Sequence, residues 1–244
     1  MPPGQGVAVI IPTFNEAESI GDVVTALPGD LVRRVIVADG GSTDATISAA
    51  RTAGASVVNA GKGYGRACLL GAQAAEDCDI LVFMDGDGAD DASAIADLVS
   101  PIRDERYDFV IASRTRGKRE PGSMAGHQVM AGLAAGALIK WLYGVRYTDM
   151  CAYRAIRRAT LLALGMRELT YGWNLEMQMR AARAGLRVLE LPVTYRCRTG
   201  GESKVAGNVS GSIKAGARII ATFARVAIEP APVAASLSHQ GEVV

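Results

Sequence analysis

Five short runs of β-branched and apolar residues, VAVII, VRRVIVA, ASVVNA, DILVFM and YDFVIAS, recur within residues 6–113, separated by Ala- and Leu-rich segments of helical character. That alternation predicts an α/β fold, a mostly parallel, doubly wound sheet covered by helices. The runs end in polar residues, at 12–16, 39–44, 85–91 and Arg114. In an open α/β sheet the carboxyl ends of the strands form the ligand crevice, so these four stretches are expected to converge.

The second half reads differently. KREPGSMAGH has the Gly, Pro and charge content of a loop, and a helix is predicted over about 128–143. VRYTDMCAYRAIRR reads as a strand entering a turn and a helix, YGWNLEMQMRAARAG as a helix with a Gly stop, and LRVLELPVTYRCR as another strand. PAPVAASLSHQGEVV lacks periodicity and is expected to be disordered. One domain over 1–228 with a tail at 229–244 is therefore predicted.

At 244 residues the chain is long enough to bury a large core, and 26 Lys and Arg against 25 Asp and Glu give no excess charge pointing to nucleic acid. Cys68, Cys78, Cys151 and Cys197 form no CxxC pair, which predicts reduced thiols in a cytoplasmic protein and no zinc site. The start carries no signal-peptide pattern. Lys140, Lys214, Arg218 and Arg225 interrupt the longest apolar stretches, so no membrane span is expected. Lys214, Arg218 and Arg225 recur at helical spacing among apolar residues, the pattern either of a basic amphipathic helix on an anionic membrane surface or of an ordinary surface helix.

ILVFMDGDGADD drives an apolar run into four aspartates within seven residues. A solvated turn with Asp90 or Asp91 as helix cap accounts for one of them. A calcium loop of the EF-hand type fails, because Ala89 and Asp90 stand where a ligand and a glycine are required. The favoured reading is a divalent cation, Mg²⁺ or Mn²⁺, held by Asp85 and Asp87 with water and a diphosphate in its other positions. In VIIPTFNE and VIVADGGSTDAT, Asn15, Ser42 and Thr43 suit helix caps, while Glu16 and Asp39 are placed to accept hydrogen bonds from a base and a ribose. NAGKGYGRA fits neither standard phosphate-loop pattern. Either Lys62 and its loop approach a nucleotide, or the glycines make a flexible turn.

Taken in order, VIIPTFNEAESI, VIVADGGSTDAT, GKGYGRACLLGA, FMDGDGADD, IASRTRG, TDMCAYRAI and RTGGESKV resemble the motifs of family-two glycosyltransferases. The branch most similar is the bacterial one related to dolichyl- and polyprenyl-phosphate sugar synthases. The resemblance implies a GT-A fold and an inverting transfer from a nucleoside-diphosphate sugar, with a nucleotide-sugar half over about 6–115 and an acceptor half over 116–228. It places Pro12, Asn15, Glu16 and Asp39 at the nucleoside, Asp85 and Asp87 at the metal, and Arg114 at phosphate. It also places Arg198, Ser203 and Lys204 on an acceptor phosphate. Ala89 stands where many relatives carry Gln, leaving Asp90, Asp91 or water as the third ligand.

A lipid-phosphate acceptor is already ionised and needs no base. A hydroxyl acceptor needs one, and Asp149 and Glu176 are the candidates, with Tyr171 and Trp173 available to stack on a sugar or lipid. The leading expectation is transfer to a polyprenyl phosphate by a cytoplasmic protein in peripheral contact with the membrane. The alternatives are a soluble transferase for a small hydroxyl acceptor, which the lack of membrane hairpins favours, and a non-catalytic nucleotide-sugar-binding subunit. Neither the sugar, the base nor the oligomeric state is written in the spacing.

Overall fold

A computed structural model describes residues 6–200 and 209–229. The five apolar runs form β1 (Val7–Thr13), β2 (Val32–Asp39), β3 (Ser56–Asn59), β4 (Ile80–Phe83) and β5 (Phe109–Ser113). Between them lie α1 (Ile20–Thr25), α2 (Thr46–Thr52), α3 (Tyr64–Ala74) and α4 (Ile95–Arg103). The second half adds α5 (Gly126–Tyr143), β6 (Arg154–Arg157), α6 (Arg158–Ala163), α7 (Trp173–Arg183), β7 (Val188–Pro192) and α8 (Val209–Ile228). The tail predicted to be disordered, together with Ser203 and Lys204, lies outside the described residues.

All seven strands share one sheet in the order β3-β2-β1-β4-β6-β5-β7. Four of its pairings are parallel, and β6 runs antiparallel between β4 and β5. The runs within 6–113 therefore do not make a continuous half-sheet: a strand from the second half separates β4 from β5. Only four residues of VRYTDMCAYRAIRR pair, so most of that stretch is a loop leading into β6. Helices cover both faces, and β1, β4 and β5 are buried almost throughout. Burial of Ile10, Ile36, Leu81, Phe83 and Phe109 supplies the driving force, on the order of 25 cal/mol per Å² of apolar surface removed from water.

The strand order reverses at β1 and β4, which pair in register from Val7 with Ile80 to Ile10 with Phe83. The crevice beyond their carboxyl ends is the switch point at which such sheets bind ligands. Residues after Thr13 and after Phe83 emerge there side by side, and Thr13 pairs with Asp39, bringing the end of β2 to the same edge.

Candidate active site

Beyond those strand ends lies a cavity of about 650 Å³. Pro12 and Glu16 line it after β1, Gly40 after β2, Lys62 before α3, and Asp85 and Asp87 after β4. Tyr171 and Asn174 close it from the second half. Three of the four predicted strand ends thus share one cavity, and Arg114 is the fourth, close enough for its charge to act on Asp85.

The turn after β1 is held by the turn after β2. Asn15 adopts the left-handed conformation, with φ 55°, and its backbone N–H donates to Ser42 Oγ at 2.9 Å while its Oδ1 accepts from the Thr43 N–H. Asp39 accepts from the N–H groups of Gly41 and Ser42 and from Ser42 Oγ. Its carboxylate is buried and aligned by its own turn. Ser42 is therefore a tie between the two turns rather than a helix cap.

Of the glycines of GKGYG, Gly63 and Gly65 have a packing cause, while Gly61 adopts φ +65° with open space beside it. A Cβ on Gly65 would meet the Glu168 carbonyl, and the Arg66 N–H donates to the Leu169 carbonyl at 2.9 Å. Close approach of 168–169 to the start of α3 brings Thr170 and Tyr171 to the cavity wall opposite Lys62. At Gly63 and Gly65 the turn is tightly packed.

The acidic loop is gripped from both sides. Asp87 Oδ1 accepts the Ala89 N–H, and Asp90 Oδ2 accepts the Asp85 N–H at 3.1 Å. Burial, reinforced by the neighbouring aspartates, raises the pKa of both Asp85 and Asp90 above the usual carboxylate range. Ala89 is buried, and its carbonyl accepts the Arg196 N–H. Asp91 caps the short 3-10 turn through Ser93 and faces Arg196 at 3.5 Å. Thus Asp90 and Asp91 are both engaged inside the loop. Among the described residues no three acidic, His or Cys side chains are grouped to hold a metal. Asp85 and Asp87 nevertheless fit one: their crowded charge raises the energy of the ionised pair, and the cavity they face leaves room for diphosphate and water to complete the coordination.

Arg198 stands in this same cavity, its Nη2 3.1 Å from Asp87 Oδ2. The segment after β7 folds across the acidic loop, with the Thr199 N–H donating to the Asp87 carbonyl. Gly88 permits this twice over: its φ is +78°, and a Cβ there would sit 2.6 Å from Thr199 Oγ1. The guanidinium expected on the acceptor phosphate is therefore beside the carboxylates expected to hold the metal.

The two candidate bases are both held by arginine. Asp149 takes Arg114 Nε and Nη2 at 2.9 and 2.8 Å and also accepts the Arg114 N–H. Glu176 is wholly buried, paired with Arg180 and Arg225 at 2.9 and 3.0 Å, and accepts the N–H groups of Arg167 and Glu168. It lies away from the cavity because its side of α7 packs on α8 and the 167–168 turn, so the expectation of Glu176 near a substrate is corrected. Trp173 is likewise in the core, edge-on to Phe83, whereas Tyr171 lines the cavity. Arg225, partly exposed, pairs with Glu176 and Glu229, and the side chains of Lys214 and Arg218 lie outside the described residues.

One residue of this region had escaped the sequence reading. Glu190 on β7 has a largely covered side chain that accepts from Thr148 N–H, Thr148 Oγ1 and the Asp149 N–H. It fixes the segment that fixes Arg114. The signal was a lone acid in the apolar strand VLELP.

The mixed seven-stranded sheet with its flanking helices is a fold of GT-A type. The chain belongs to glycosyltransferase family 2: the family's profile, described as glycosyl transferase family 2, matches residues 8–165. An uncharacterised glycosyltransferase of Mycobacterium tuberculosis is 38% identical over 216 residues, covering 86% of this chain and 94% of its own length. An undecaprenyl-phosphate mannosyltransferase of Micrococcus luteus is 32% identical, covering 84% and 89% respectively. Among solved structures, glucosyl-3-phosphoglycerate synthase of Mycobacterium tuberculosis, in complex with Mn²⁺, UDP-glucose and phosphoglyceric acid, superposes with TM-score 0.71 at 24% identity over 93% of this chain and 81% of that one.

Proposed function

We propose that this protein transfers a sugar, with inversion, from a nucleoside-diphosphate sugar to a polyprenyl phosphate. One observation carries the choice of acceptor: the two carboxylates expected to deprotonate a hydroxyl, Asp149 and Glu176, are both committed to arginine pairs. A phosphate acceptor arrives ionised and needs neither. The Micrococcus luteus relative is a lipid-phosphate mannosyltransferase, in keeping with this reading.

In this reading Pro12, Asn15, Glu16 and Asp39 receive the nucleoside, the buried Asp39 carboxylate being oriented by its turn before any ligand arrives. Asp85 and Asp87 hold Mg²⁺ or Mn²⁺, which supplies charge stabilisation to the departing diphosphate. Lys62 and Arg198 line the cavity as further cations for phosphate oxygens. Arg114, locked by Asp149 and lying with its guanidinium 5.0 Å from the centre of the Tyr195 ring, adds fixed positive charge without having to reorganise. Ser203 and Lys204 are assigned to the acceptor phosphate.

Purified protein incubated with Mg²⁺ and a panel of radiolabelled sugar nucleotides, with and without polyprenyl phosphate, tests this. Label entering the organic phase only when both are present is the expected result. Label retained in water on a small hydroxyl acceptor would replace the reading with that of a soluble transferase.

A further inference from the structure

The longest described excursion from the sheet runs from β5 to β6, and within it Arg114 and Asp149 clasp each other beside the site. Its main element, α5, is seated by a narrow seam: only Gly132, Gly136 and Ile139 are buried, and a Cβ on Gly136 would collide with the Tyr147 carbonyl. The remaining surface is apolar and open. Met130 is 69% and Trp141 81% exposed, and Leu133, Leu138 and Leu142 are exposed as well. An 18-residue helix that is apolar around most of its circumference is usually buried, and this one is not.

We infer that α5 is a membrane-docking helix that lies in the plane of an anionic bilayer and holds the site at the headgroup level. The charge around it selects that occupant. Helix α5 carries no acidic residue, and Lys118, Arg119, Lys140 and Arg146 are exposed around it with Glu120 as the one acid between 114 and 147. A second copy docking through the same face would set these cations against themselves. Anionic headgroups complement them, with Trp141 and Lys140 forming the amphipathic pair suited to the interface. No described helix is long and apolar enough to cross a membrane, so α5 lies on the surface. The choice of a bilayer also rests on the lipid-phosphate reading, since such an acceptor presents its phosphate from that plane. On α8, by comparison, Arg225 is paired with Glu176.

The chain has two tryptophans, and Trp173 is fully buried, so Trp141 reports on docking. Emission of the full chain should shift to the blue when vesicles of phosphatidylcholine with phosphatidylglycerol are added, and the shift should vanish in Trp141→Phe. The double variant Met130→Gln, Leu138→Gln should partition at least tenfold more weakly while transferring sugar to a short, water-soluble polyprenyl phosphate at the unmodified rate. Absence of a shift in the unmodified protein overturns the inference, as does undiminished partitioning of the double variant. So does self-association of the unmodified protein that the double variant abolishes, which would assign the face to a second copy. Transfer to the short acceptor without vesicle binding overturns docking alone. Vesicle binding that needs α5, without transfer to any lipid phosphate, upholds docking and overturns the acceptor assignment.

Discussion

Arg198 Nη2 lies 3.1 Å from Asp87 Oδ2, so the segment after β7 delivers a cation directly to the acidic loop after β4. That contact couples the last part of the fold to the place where diphosphate charge must be stabilised. Arg198→Ala should therefore weaken donor binding as well as turnover, measured as a rise in the donor Michaelis constant. The pair is partly exposed, so the loss of stability should not exceed about 1 kcal/mol. Unchanged donor binding with a raised acceptor constant would return Arg198 to the acceptor side.

The crowded aspartates give a pH signature. Burial raises the pKa of Asp85 and Asp90 in the folded state, so the stability they contribute is fully present below the unfolded value of about 4 and is lost as pH rises through the raised folded values. Asp90→Asn, whose amide oxygen can still accept the Asp85 N–H, should raise the melting temperature of the metal-free protein more at pH 8 than at pH 4. Equal shifts at the two pH values would show that the carboxyls are not electrostatically strained.

Divalent metal should reverse that strain. Mn²⁺ is expected to raise the melting temperature of the unmodified protein, and Asp87→Asn to abolish both this shift and transfer while leaving the far-ultraviolet circular dichroism unchanged. A fully active Asp87→Asn enzyme would remove the metal from the account.

Glu190 acts on Arg114 only through the 148–149 segment. Glu190→Ala leaves the Thr148 and Asp149 N–H groups without their buried acceptor, at a cost of about 1–3 kcal/mol. Turnover should fall by more than donor affinity, and Glu190→Gln should recover part of it. An Ala variant with normal turnover would show that Arg114 does not depend on this support.

Gly88 should tolerate no side chain. Gly88→Ala forces an L-residue to φ +78° and drives Cβ toward Thr199, with a strain of about 1–3 kcal/mol. Chemical denaturation would measure it, and an unaltered midpoint would mean the two segments separate freely.

The strands and the convergence of their ends were legible because continuous β-branched runs and the acids that follow them are local signals. The run DILVFM gives β4, and the acids after it are those in the cavity. The place of β6 between β4 and β5 was not legible, since two of the four residues of Arg154–Arg157 are arginines, and the strand is buried because Arg154 finds the carbonyls of Cys151, Ala152 and Asn174. The fate of Glu176 was hidden for the same reason: its partners Arg180 and Arg225 are fixed by packing between α7 and α8, which no spacing encodes. Motif order gave Arg198 a role at phosphate, but only the fold of 195–200 across the acidic loop gives it Asp87 as a neighbour.

The account turns on an acceptor that needs no base. A competition assay tests it most directly, with one labelled sugar nucleotide, Mn²⁺, and equal concentrations of a short-chain polyprenyl phosphate and 3-phosphoglycerate. Label should pass to the polyprenyl phosphate and leave the phosphoglycerate untouched. Label on the phosphoglycerate hydroxyl, with none on the lipid phosphate, would contradict the proposal and require a base at the site.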